Sequence, residues 1–104
     1  MTSVALEEFS ELPEDMQAKY IRIAELIEAS GPALVREPYV KPVGDGLYEI
    51  RMSGRDGIAR ALYITAKQRR VVVVLVFVKK TQKTPPNVLK LARKRAKEFE
   101  ESDG

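Results

Sequence analysis

Residues 71–86, VVVVLVFVKKTQKTPP, constrain the fold of this chain more than any other stretch. Eight apolar residues in a row, most of them valine, suit a strand and fall far short of the roughly 20 needed to cross a membrane as a helix. A valine run without polar alternation implies burial on both faces of a sheet. Lys79, Lys80 and Lys83 follow at once, so a rigid strand delivers cations to one place. Thr84 reads as a helix N-cap and Pro85 as the first helical position, which holds the basic turn between a strand and a helix start. Such a start turns backbone N–H groups and a positive dipole end toward any bound anion.

A chain of 104 residues supports one domain with a single core. It has no cysteine and no histidine, which removes disulfides, the usual zinc sites and the commonest general base. The first residues show no basic region followed by an apolar one, so no secretory signal is expected and the chain reads as cytoplasmic. The net charge of +3 conceals a strong asymmetry. Between Arg51 and Lys97 fourteen cations meet only Asp56, a balance of +13 that reads as a surface for a polyanion, nucleic acid first and an acidic protein segment second. The alternative is an ordinary solvated set of charges, above all on the helix.

Taken in order, residues 1–12 hold three glutamates and scattered apolar residues and read as loosely ordered, as do 101–104. From Pro13 the apolar positions Met16, Tyr20, Ile23, Ala24 and Ile27 follow a helical period, with Glu14 and Asp15 suiting the first turn and Gly31-Pro32 ending it. Residues 33–45, interrupted by Pro38 and Pro42, read as a linking loop closed by the turn Gly44-Asp45-Gly46. Residues 47–53 alternate, with Tyr48, Ile50 and Met52 on one face and Glu49 and Arg51 on the other. Gly54 and Gly57 bracket a hairpin, and 58–65 form its partner strand, with Arg60 opposite Ala61 and Tyr63. After the turn at 66–70 comes the valine strand. The final helix, about 85–100, carries Val88, Leu89, Ala92, Ala96 and Phe99 as its buried stripe, with Lys90, Arg93, Lys94, Arg95 and Lys97 around the rest. The expected fold is α+β: an antiparallel meander of three strands, or slightly more, packed against an N-terminal and a C-terminal helix on one sheet face.

Arg51, Arg60 and the Lys79-Lys80 pair converge if these strands pair as a meander. Guanidinium forks match phosphate geometry, while a lysine crowded by cations can lower its pKa. A competing reading pairs Arg51 with Glu49 or Asp56 across the hairpin. Asp45, Glu49 and Asp56 match no metal motif, the glycines fit neither the Walker nor the dinucleotide spacing, and the basic terminal helix lacks the apolar face of a membrane-surface helix, so neither metal, cofactor nor membrane is expected.

Three blocks taken together carry a resemblance: GLYEIR at 46–51, DGIARALY at 56–63, and FVKKTQKTP at 77–85 followed by Ala92 and Arg95. Over residues 13–100 the chain resembles the phage-derived branch of the RelE/HigB toxin superfamily. That resemblance implies a RelE-like fold and a cytoplasmic toxin of a type II toxin–antitoxin pair, an endoribonuclease cutting messenger RNA on the ribosome and neutralised by a cognate helix-turn-helix antitoxin. It implies catalytic roles for Arg60 and for Lys79 or Lys80; the residues themselves add Arg51 and Glu49 as catalytic candidates, and Arg55, Thr81, Lys83, Lys90 and Arg93 as candidate RNA contacts. Many relatives carry a histidine near the position of Leu75, or a C-terminal aromatic; this chain has neither a histidine nor an aromatic between Phe77 and Phe99. The general base would therefore be a lysine or Glu49. ParE-type gyrase poisons share the fold, so a non-catalytic toxin or a basic binding module acting on gyrase, nucleic acid or an acidic protein is the alternative.

Overall fold

The computed structural model describes residues 1–31, 39–66, 70–79 and 85–103. Two helices, α1 (Ser3–Ser10) and α2 (Glu14–Ser30), precede four strands, β1 (Val40–Gly44), β2 (Leu47–Gly54), β3 (Gly57–Ala66) and β4 (Arg70–Lys79), and α3 (Pro86–Asp103) closes the chain. The strands pair antiparallel in chain order, β1-β2-β3-β4, as a meander.

The N-terminal residues are not loose. The Thr2 hydroxyl accepts the Ala5 N–H at 3.2 Å and caps α1. Pro13 stands at the N-cap of α2, its carbonyl taking the N–H groups of Met16 and Gln17 at 3.1 Å each, and Gly31 ends that helix with a φ of 86° that a side chain would resist. The stretch read as a loop contains β1, in register with β2 through Val40 and Ile50, Lys41 and Glu49, and Pro42 and Tyr48. The sheet thus has four strands, the fourth being a short edge strand in which Pro42 forgoes one ladder donor.

The helices lie on two faces of the sheet, not one. On the first face α1, α2 and the turn between them bury Ala5, Leu12, Met16, Ile23 and Ile27 against Ile50 and Met52 of β2, Ala59, Ala61 and Tyr63 of β3, and Val73 and Val76 of β4. On the second, Ala92 and Ala96 of α3 pack with Leu47, Leu62, Ile64, Val72, Val74 and Leu75, and Val88, Leu89 and Phe99 extend the contact as the apolar stripe predicts. The valine run required this outcome, because a strand buried on both faces needs a cover on each. A register shift against Leu62 and Tyr63 puts one extra residue into β4, so that Val74 and Leu75 both join the α3 side.

The outer edge of β4 is sealed by groups from both helical layers. Val73 C=O accepts the Thr2 N–H, Val76 N–H donates to Glu8 Oε1, and Val74 C=O accepts from Arg95 Nη1, each at 3.0 Å. Arg95 also donates to both Glu8 carboxylate oxygens, at 3.0 and 3.1 Å. Arg95 is therefore half-buried structural machinery rather than one of the solvated cations of α3, and it blunts an edge that would otherwise offer unpaired donors and acceptors. At the start of α3 it is Pro85 whose carbonyl accepts from Val88 and Leu89, so Pro86 holds the first helical position; Thr84, expected as the cap, lies outside the described residues. The helix continues to Asp103 instead of fraying from 101.

Candidate nucleic-acid site

Strand register sets the geometry of the site. Arg51 of β2 faces Arg60 of β3, and Arg60 faces Phe77 of β4, so two guanidinium groups and an aromatic ring form one row across the sheet. The neighbouring row runs Lys41, Glu49, Leu62, Leu75. Both rows lie on the α3 side, because the alternating partners Ile50, Met52, Ala59 and Ala61 all belong to the core under α1 and α2.

The carboxylate of Glu49 is the hub. Arg60 Nη1 is ion-paired with Glu49 Oε1, and Arg51 Nε stands 3.7 Å from the same oxygen. Arg60 and Glu49 are 3% and 1% exposed, so this is a buried pair and not a charge on an open polar face. Two expectations change accordingly. Arg60 contributes to the fold as well as to any chemistry, and the competing reading for Arg51, a pairing with Glu49, is met in part at 3.7 Å. A buried guanidinium and carboxylate persist only when paired, since either charge alone in the interior costs several kcal/mol.

The pair leaves hydrogen-bonding capacity over. The Nε–H groups of Arg51 and Arg60 are buried without a hydrogen-bond acceptor among the described residues. Buried donors are nearly always satisfied in folded chains, and two such orphans on adjacent strands mark a place suited to acceptor-rich groups such as phosphate oxygens.

The remaining expected residues are distributed around this centre. The backbone of Lys79 pairs with that of Ile58, at the end of the same sheet where the β2–β3 hairpin turns. Lys80, Thr81 and Lys83 lie outside the described residues. Arg55 is exposed on the hairpin tip, and its backbone N–H donates to Asp15 Oδ2 at 2.7 Å, which ties the hairpin to the first turn of α2. That backbone hydrogen bond, above all, holds the Asp15 carboxyl below its ordinary range. Lys90 is exposed on α3, while Arg93 Nε is bound to Asp45 Oδ2 at 2.6 Å, an exposed pair that tethers the helix to the β1–β2 turn. Lys90, Lys94 and Lys97 recur at helical spacing on the solvent side of α3 and give it a basic ridge.

Lys41 and Tyr39 are the residues that the sequence reading missed. Both belong to the stretch taken for a loop, although Val40 and Val43 flanking the Gly44-Asp45-Gly46 turn were a hairpin signal. Tyr39 precedes β1, and its carbonyl accepts the Arg51 N–H at 2.9 Å, continuing the ladder by one pair. Among the described residues no group of three or more acidic side chains is arranged to hold a metal, and no helix is long and apolar enough to cross a membrane.

Residues 7–97, from α1 into the last turns of α3, match the family described as phage derived protein Gp49-like (DUF891). No curated protein matches the chain.

Proposed function

The chain belongs to the phage-derived Gp49-like family, and from that premise we propose that it is the toxin of a type II toxin–antitoxin pair, acting as a ribosome-dependent endoribonuclease on messenger RNA. The observation that carries this reading is the row of Arg51 and Arg60, two strand-borne guanidinium groups side by side with buried donors left over. Strands fix such groups better than loops do, and fixed donors aimed at developing charge are the largest single contribution to many hydrolytic reactions.

In the proposed reaction the 2′-hydroxyl of a ribose attacks the adjacent phosphorus, the bond from phosphorus to the 5′-oxygen breaks, and a 2′,3′-cyclic phosphate is left. The 2′-hydroxyl proton passes to a base, and the departing 5′-oxygen takes up a proton from an acid. Arg51 and Arg60 would balance the negative charge gathering on the phosphate oxygens. Glu49 would serve as the base: its carboxylate is ion-paired with Arg60, and a phosphate taking over Arg60 would release it at the reacting centre. Lys79, the last residue of β4, or Lys80, which follows it in the sequence, would supply the proton for the leaving group. Lys83, Thr81, Arg55, Lys90 and Arg93 would hold the RNA backbone, Arg93 after giving up Asp45. A cognate antitoxin, encoded beside the toxin and carrying a helix-turn-helix, would neutralise it by covering the basic face.

The test is expression of the chain alone in a bacterial host, followed by primer extension on its messages and on purified translating ribosomes. Translation should stop within minutes, with message ends inside coding sequence that carry cyclic phosphate, and the product of the adjacent reading frame should restore growth. Unchanged growth and protein synthesis at high expression would sink the proposal. Arrest of replication with translation intact would replace it by a gyrase-directed toxin.

A further inference from the structure

We propose that Tyr39 is a platform for an RNA base, stacking the nucleobase whose phosphate is held by Arg51; the inference rests on the RNA-directed reading of the site. Exposure rises steadily along the row toward β1: Arg60 is 3% exposed, the Arg51 side chain 28%, and Tyr39 45%. A ligand therefore reaches the row from the β1 side, meeting Tyr39 and Arg51 before Arg60. The ladder fixes their relation. The Tyr39 carbonyl takes the Arg51 N–H, and opposed residues in such a pair stand about 5.5 Å apart at their Cα atoms. The span from a phosphate to its own base is comparable with one such step. Strand alternation puts Tyr39 and Lys41 on the side of Arg51 and Glu49, since Val40 between them is buried with Ile50 in the opposite core.

The other tyrosines are committed elsewhere. Tyr20 meets Phe9 edge-on and Tyr48 stacks on Tyr63. Tyr39 is the one tyrosine of four that stands exposed. An aromatic ring next to a half-open guanidinium, with Lys41 behind it, is the combination by which proteins hold single strands: the cation takes the backbone and the ring takes a base. The Tyr39 ring lies before β1 and off both hydrophobic clusters, so the core does not use it. Recognition of this kind accepts any base face, so the platform positions RNA without reading its sequence.

The experiment is titration of the full chain with a short single-stranded RNA, made uncleavable by a 2′-deoxy or 2′-O-methyl sugar at each position, and with the same strand carrying one abasic site placed in turn at each position. The chain lacks tryptophan, so tyrosine fluorescence can be followed alongside anisotropy. Tyr39→Phe should bind as the wild type does. Tyr39→Leu should bind the intact strand about 5- to 150-fold more weakly, the range for losing one stacked base. For one abasic position the wild type should be as weak as Tyr39→Leu, and there the substitution should cost nothing further. If Tyr39→Leu binds the intact strand at wild-type strength, or weakens every abasic strand equally, Tyr39 is no base platform. Arg51→Gln separates the two levels. If it weakens binding while Tyr39→Leu does not, only the platform is wrong; if it too is without effect, the phosphate site itself falls.

Discussion

Replacing Arg60 by alanine should damage the fold before it informs on catalysis. Arg60 is 3% exposed, and its ion-pair partner Glu49 is 1% exposed. Removing the guanidinium leaves a buried carboxylate without its main counter-charge, a change that costs about 3–5 kcal/mol. A domain of this size has roughly 5–15 kcal/mol of stability in all. Each kcal/mol moves the melting temperature by about 4–8 °C, so Arg60→Ala should melt roughly 12–40 °C below the wild type. Arg51 sets the lower end of that range, since its Nε already stands 3.7 Å from the same Glu49 oxygen and its half-exposed side chain can swing in. The double variant Glu49→Leu/Arg60→Met removes both charges while keeping similar volume, and should recover most of the lost stability, because a buried pair is often no better than a matched apolar one. Thermal melts followed by circular dichroism, with cleavage on translating ribosomes measured in parallel, test this. The double variant should be folded and inactive, which separates the structural from the chemical role. A melt of Arg60→Ala within about 3 °C of the wild type would show a pair worth no more than a surface one, and the reasoning from burial would be wrong.

Gly54→Ala should lose about 1–3 kcal/mol, seen as an earlier melt, because a Cβ there would stand 2.7 Å from Asp15 Oδ2 and 2.8 Å from Met16 Cγ, where α2 meets the hairpin; a wild-type melt would mean that the α2 terminus moves freely. RNA affinity should fall with salt at a slope of log K against log salt of about −3 to −4, corresponding to roughly 4–6 phosphate contacts on a single strand. A slope near zero in a salt titration would remove the polyanion reading. Burial, with a smaller push from Tyr48, raises the Tyr63 hydroxyl from 10.0 to about 12. The folded chain then keeps a proton that the unfolded chain sheds, so this contribution is intact below pH 10 and is lost as pH rises toward 12. Tyr63→Phe should flatten that decline in urea melts between those values without loss at pH 7, because the hydroxyl has no hydrogen-bond partner among the described residues. A steeper decline in the variant would contradict the assignment.

The pattern of the sequence was sufficient wherever one physical cue dominated. Alternation in 47–53 put Glu49 and Arg51 on one face and Tyr48, Ile50 and Met52 on the other, as the structure has them. The stripe of α3 was legible for the same reason, because packing against a sheet leaves a clear period. β1 was not, because five residues containing a proline give too short a pattern to outweigh the prolines around it. α1 failed differently: its buried side chain is a single Ala5, and it is held by Thr2 and by Glu8 on the β4 edge, contacts that exist only once the sheet has formed. The burial of Arg60 was hidden because alternation gives the face of a residue and not what covers that face. Arg51 and Arg60 share a face, yet one is half-open and the other closed.

Charge follows the same division into layers, and it narrows where RNA can lie. The outer surface of α1 and α2 carries Glu7, Glu14, Asp15, Glu25 and Glu28 against Lys19 and Arg22 and is acidic on balance, while the α3 side carries Lys90, Arg93, Lys94 and Lys97. Among the described residues, cations of the basic segment are drawn into acidic partners: Arg51 and Arg60 toward Glu49, Arg93 to Asp45 and Arg95 to Glu8. Formal charge along the sequence therefore overstates the field that a ligand meets. The end of α3 then turns acidic, with Glu98, Glu100 and Glu101 exposed where the helix dipole is also negative. A polyanion is repelled from that end and from the α2 layer. On the RNA-directed reading, what remains attractive is the exposed lysines of α3 and the sheet row where Arg51 stands part-exposed opposite Tyr39, so the charge pattern and the strand register would favour the same row of residues.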